Sequence, residues 1–183
     1  RWTPSGGIVH FVNVGTGSGS GTVAVVDPQS LTSRVLLEAS SFAPYQLSFS
    51  PDERWITCVE VLPGGQTARV LIGPATGEWP IPESALLPIG DGTTWDDKPR
   101  FSPDGRLLYF TSERDGYRCL WAQRLDLRTG EPEGPPFAVY HGHSSRRSML
   151  NVGLTPLEVA VGPDKVVFVQ GEVTGNIWMA EVR

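Results

Sequence analysis

Lysine is nearly missing from this sequence: of 15 basic residues only Lys98 and Lys165 are lysines, a skew we read as compositional. With 20 acidic residues the formal charge is −5, which argues against nucleic acid, whose phosphates call for a basic stripe. Histidine is scarce, with only His10, His141 and His143, and that counts against an enzyme with its own metal centre. The two cysteines, Cys58 and Cys119, lie on non-equivalent segments of different repeats, so two buried free thiols fit better than a disulfide. No run nears the roughly 18 apolar residues of a membrane span. No G-x-S-x-G occurs, so a nucleophile elbow is not part of this chain.

What is present in quantity is turn chemistry, with 21 Gly and 16 Pro among 183 residues. That composition fits a turn-rich all-β domain, and a chain of this length buries roughly 70% of its unfolded surface. The turns recur. Phe101-Ser102-Pro103-Asp104 is repeated as Phe49-Ser50-Pro51-Asp52 and more weakly as Val161-Gly162-Pro163-Asp164, and Trp2-Thr3-Pro4-Ser5-Gly6-Gly7 aligns on Phe101–Arg106. The prolines at 4, 51, 103 and 163 are spaced 47, 52 and 60 residues apart. After each comes a β-rich run: Ile8–Val14, Trp55–Val61, Leu107–Thr111 and Val166–Gln170. A Gly-bearing turn and a second run follow: Thr22–Val26, Ala68–Ile72, Cys119–Leu125 and Ile177–Val182. Asp115-Gly116 is the strongest hairpin signal, and Phe137–Tyr140 makes a fourth run in the third repeat. Four strands per 40–60 residues, repeated, describe β-propeller blades. The expected fold is all-β: four blade units of four-stranded antiparallel meanders, at about 1–40, 41–90, 91–140 and 156–183, with a long connection at 141–155.

The stretch FSPDGRLLYFTSERDG, Phe101–Gly116, resembles the WD-like blade of TolB-type propellers. Similar blades occur in prolyl-oligopeptidase-type enzymes and in extracytoplasmic regions of some bacterial serine/threonine kinases. The resemblance implies a bacterial, periplasmic or otherwise extracytoplasmic propeller and says little about function. Residue 1 falls inside an innermost strand and the last unit ends after its third, so the expectation is an open arc continued by further blades upstream. Such an arc, bare at its edges, is expected to self-associate.

Strand alternation sends the SPDG-type and RTG-type turns to one end of the blades, and the second-to-third hairpins and fourth-to-first connections to the other. The second end collects the unusual residues. Trp95, Asp96, Asp97 and Lys98 could bind a cation, a sugar or a peptide amine there. As structural groups, one carboxylate would cap a neighbouring blade and the Trp would pack between blades. His141 and His143 form a His-x-His pair without a recognisable third ligand, so no metal is expected. Arg146 and Arg147 could clamp a carboxylate or phosphate, or pair with surface acids. Glu113-Arg114-Asp115 and Gln170-Gly171-Glu172 read as solvated hairpin tips. Gly15–Gly21 meets the loose G-x-G-x-x-A form through Gly19, Gly21 and Ala24, but a strand follows where a dinucleotide loop needs a helix. Trp121 and Trp178 read as packing residues between blades. No cofactor is expected. The expected role is a non-catalytic binding or sensing module for a protein, peptide or small ligand; the alternative is a propeller gating a prolyl-oligopeptidase-type peptidase.

Overall fold

A computed structural model describes residues 2–12, 20–175 and 179–181. It is built from short strands in chain order. β1 (Ile8–Val12), β2 (Gly21–Val26) and β3 (Ser33–Ala39) make the first antiparallel sheet. β4 (Tyr45–Phe49), β5 (Trp55–Val61) and β6 (Ala68–Pro74) begin the second. The chain then crosses back as β7 (Ile81–Pro82), which lies parallel on the outer edge of β3, before β8 (Leu87–Ile89) closes the second sheet. β9 (Asp96–Phe101), β10 (Leu107–Ser112), β11 (Cys119–Leu125) and β12 (Pro132–Tyr140) form the third sheet, an uninterrupted meander. β13 (Arg147–Ser148), β14 (Val159–Val161), β15 (Val166–Phe168) and β16 (Gly171–Glu172) make two two-stranded pairs, β14 with β15 and β13 with β16. The architecture is all-β: antiparallel blades in series, forming an open partial propeller.

Alternation explains how one strand serves two interfaces, because successive side chains leave opposite faces. On β5, Cys58 joins the core between the first and second units while Val59 joins the core between the second and third. On β10, Leu108 and Phe110 face back toward the second unit and Tyr109 faces forward toward Leu157, Val159 and Phe168. All six residues of β9 are buried. Each completely buried Leu, Ile or Phe contributes about 1.5–3 kcal/mol on transfer from water.

The repeated turn is a shared device. Ser50 N–H donates to the Trp55 carbonyl at 2.8 Å, and the Ser50 hydroxyl donates to Asp52 Oδ1 at 2.6 Å while accepting the Trp55 N–H at 3.0 Å. Ser102, Asp104 and Leu107 repeat this at 2.8, 2.6 and 2.9 Å. Glu53, with φ of 55°, takes the place of Gly105 at 75°, so the missing glycine costs a strained residue but not the turn. The hydrogen bond from Ser50, with those from Arg54, lowers the Asp52 pKa to about 2 against the opposing effect of burial. The outer copies are tighter: Trp2 pairs with Ile8 and Val161 with Val166, against Phe101 with Leu108. The fourth is thus two residues shorter across the turn than the third. The RTG-type turn lies at the same end, since Arg54 and the Trp55 indole both donate to the Leu127 carbonyl, at 2.7 and 3.4 Å. Gly130 is required there, because a Cβ would come within 2.6 Å of the Trp55 ring.

Several boundaries differ from the sequence expectation. β12 starts at Pro132 rather than Phe137. β15 ends at Phe168 rather than Gln170. The 141–155 connection is not wholly loop, since β13 lies within it and pairs with β16. The first sheet gains β7 outside β3, which covers an edge otherwise left bare. The Gly15–Gly19 loop, the Ile177–Val182 run and Trp178 fall wholly or partly outside the described residues.

Candidate functional site

The inner strands carry a second shared device. Lys98, three residues before Phe101, has φ of 58°, and the β9–β10 register shifts beside it. Gln46, three residues before Phe49, has φ of 54°, with a matching shift between β4 and β5. Each is a bulge that re-aims the side chains around it. The Lys98 N–H donates to Gln46 Oε1 at 2.7 Å, so the two bulges are tied together.

These bulges bury the acidic stretch. Asp96, Asp97 and Lys98 are 1%, 1% and 3% exposed. Asp96 Oδ2 pairs with Arg114 at 3.1 Å and its Oδ1 accepts from the Thr94 hydroxyl at 3.1 Å. Burial nevertheless raises its pKa, outweighing the hydrogen bond from Ser112 and the charge of Arg114. Asp97 Oδ1 accepts from the Thr111 hydroxyl, while Asp97 Oδ2, the Tyr45 hydroxyl, Arg118 Nε and the Trp95 and Trp121 indole nitrogens have no hydrogen-bond partner. Burial, then the Asp97 charge, raises the Tyr45 pKa above the ordinary phenol value. Trp95 packs against the core between the second and third units, as its structural reading anticipated.

From Asp96 a line of contacts runs outward. The Arg114 guanidinium stacks 4.8 Å from the Trp121 ring, and His141 meets Trp121 edge-on at 5.8 Å. His141 Nδ1 lies 2.9 Å and His143 Nε2 2.8 Å from Asp115 Oδ2, and the two nitrogens are 3.2 Å apart. Cys119 Sγ completes a group of four donor atoms all within 4.8 Å of one another. Burial raises the Cys119 thiol against the Gly142 N–H, which donates to Sγ at 3.2 Å. The expectation that His141 and His143 lack further ligands is corrected here: the register pairing Leu120 with Tyr140 brings the β10–β11 hairpin tip under the start of the next connection. Glu113-Arg114-Asp115 is not a solvated tip either, since Glu113 pairs with Arg118, Arg114 with Asp96 and Asp115 with both histidines.

Arg146 and Arg147 stand apart from that cluster. Each pairs with one oxygen of Glu172 at 3.0 Å, the surface-acid alternative of the sequence reading, while staying largely exposed. The residues expected at one end of the blades therefore divide into three: buried Asp96, Asp97 and Lys98 with the partly buried Trp95 beside them, the histidine cluster, and the arginine pair. Sequence reasoning passed over Asp115, Cys119, Arg114 and Arg118. A hollow of about 380 Å³, lined by Gly90, Asp91, Thr93, Thr94, Arg114 and Pro136, opens beside them.

This fold defines a class, the β-propeller, here as an open run of blades. Within that class the chain is similar to TolB from Acinetobacter baumannii, with a TM-score of 0.65 and 16% identity over 96% of this chain and 38% of that one. It is also similar to the propeller-bearing prolyl oligopeptidase B from Galerina marginata, with a TM-score of 0.54 and 13% identity over 93% and 25% of the two chains, and to Kuenenia stuttgartiensis hydrazine synthase at 0.52 and 11% over 75% and 41%. The chain thus spans well under half of each. No protein-family model matches it, and no curated protein sequence does.

Proposed function

We propose that this chain is a non-catalytic binding module that engages a protein or peptide partner through the end of the blades opposite the SPDG-type turns. The observation that carries this reading is the contrast between the two ends. At the turn end the charged side chains are consumed locally, as in Arg54 with Asp52 and Arg128 with Asp126. At the other end Arg114 lines an open hollow, half-exposed His141 and His143 meet Asp115 from a different loop, and largely exposed Arg146 and Arg147 share Glu172 from a different strand. A hairpin tip and the connection after β12 present these groups at the ends of paired strands, where loops held by a rigid scaffold commonly carry recognition. An extracytoplasmic setting goes with this reading through the resemblance to TolB.

Peptide display against the chain, followed by fluorescence anisotropy on the selected peptides, tests the proposal. Arg146→Ala with Arg147→Ala should weaken binding by roughly fivefold or more, and Arg106→Ala with Arg128→Ala at the turn end should leave it unchanged. Equal losses at both ends, or no selectable peptide, overturn it. The likeness to prolyl oligopeptidase B supports a second reading, a propeller gating a peptidase. Fluorophosphonate labelling of the full gene product separates the two: a labelled serine favours the peptidase.

A further inference from the structure

We propose that Asp115, Cys119, His141 and His143 form a closed four-ligand site for a divalent transition metal, with Zn²⁺ the best fit. Three observations carry this. The first is the donor set: one thiol, two imidazoles and one carboxylate are the mixed sulfur, nitrogen and oxygen donors that Zn²⁺ takes tetrahedrally. The second is the geometry. His141 Nδ1, His143 Nε2 and Asp115 Oδ2 form a triangle with edges of 2.8, 2.9 and 3.2 Å, with Cys119 Sγ inside the same 4.8 Å. A tetrahedral zinc with bonds of about 2.0–2.3 Å needs ligand edges of about 3.3–3.7 Å, so the triangle has only to open by a few tenths of an ångström. Half-exposed imidazoles can move that far.

Hydrogen bonding alone leaves this triangle incomplete. If both ring nitrogens donate to Asp115 Oδ2, no proton remains for the 3.2 Å contact between them; a cation at the centre engages all three lone pairs. The third observation is the support around the donors. Gly142, between the two histidines, donates its N–H to Cys119 Sγ, and the Tyr117 N–H holds Asp115 Oδ1 at 3.4 Å, leaving Oδ2 to face the rings. The Tyr117 ring stacks on His143 at 4.8 Å. Such outer partners are the usual frame of a metal site. With four protein donors no coordination position is left for water, so the ion would clip the β10–β11 hairpin to the start of the 141–155 connection.

The test uses the chain stripped of metal by chelator dialysis and titrated with Co²⁺, then with Zn²⁺ against a chromophoric chelator. One equivalent of Co²⁺ should give the intense visible bands of a tetrahedral site and a thiolate charge-transfer band, and Zn²⁺ should displace it. Cys119→Ser should abolish the charge-transfer band. His143→Ala, at an exposed position that leaves the fold intact, should weaken Zn²⁺ binding by more than the roughly 10–100-fold that losing an outer-shell partner costs. No saturable binding by the unaltered chain overturns the proposal. So does binding that survives both substitutions, which would place the ion elsewhere.

Discussion

The two ends of these blades use the same residue types for opposite purposes. At the turn end Asp52 and Asp104 sit in solvent and take hydrogen bonds from their own loops, and both carboxyls are held below their ordinary pKa, chiefly by Ser50 and Ser102. At the other end Asp96 and Asp97 are almost completely buried, and burial drives Asp96 the other way. A carboxylate whose partners lie within four residues carries its environment with it, so the turn is the same in the second and third units. A carboxylate whose partners lie 14 to 18 residues away, as Thr111 and Arg114 do, depends on strand pairing. The self-contained end repeats, and the paired end diverges.

That contrast can be broken most directly at Arg114. Arg114→Ala leaves Asp96 buried without its counter-ion and should cost about 2–3 kcal/mol in urea unfolding, less than a wholly buried pair because Arg114 keeps some solvent contact. An effect below about 0.5 kcal/mol would mean that water reaches Asp96. At the turn end, Ser50→Ala and Ser102→Ala should each cost about 1 kcal/mol, since each deletes a hydroxyl that donates to an Asp and accepts an N–H. The two values should agree closely; a large disparity would show that the turns are not energetically equivalent.

Acid titration sharpens the comparison by sign. Asp52 has a lowered folded-state pKa, so its contribution is complete above its unfolded value of 3.8 and disappears as pH falls through about 2. Asp96 has a raised one, so its contribution is present below its unfolded value of 3.8 and is lost as pH rises through its folded value. The pH dependence of the unfolding midpoint should therefore flatten in the acid range in Asp52→Asn, and the opposite slope should be lost in Asp96→Asn. Identical pH profiles for the two variants would remove the distinction. The smallest effect is expected from Arg106→Ala: its 4.0 Å contact with Asp104 is solvent-exposed, and the change should stay within about 0.5 kcal/mol.

Much of this could be read from residues alone. The prolines at 4, 51, 103 and 163 each open the turn after an inner strand or bridge, and the resemblance of Phe101–Gly116 to a TolB-type blade agrees with the measured likeness of the fold. The separation of turn types to one end also follows, since Leu127 meets the Pro51–Trp55 turn. The site was less legible. His141 and His143 stood out, but Asp115 looked like half of a hairpin signal and Cys119 like a buried thiol. Their union depends on the β11–β12 register, which slips twice, so counting along the chain could not supply it.

The sequence by itself determined the unit of this protein: the Ser-Pro-Asp turn, the alternation that sends Cys58 one way and Val59 the other, and the glycines at positive φ. These are local, because the groups that satisfy one another are neighbours in the chain and fold together wherever the unit is placed. The tertiary structure alone decided which polar groups were buried, where β7 lay, and that a hairpin tip would meet two histidines from the next connection. The physical reason is the bulge in β9 and the slipped pairing of β11 with β12. The bulge in β9 and the first slip beside Leu120 each shift the register by one residue, the second slip in β11–β12 by two, and a one-residue shift in a strand turns a side chain from solvent to core.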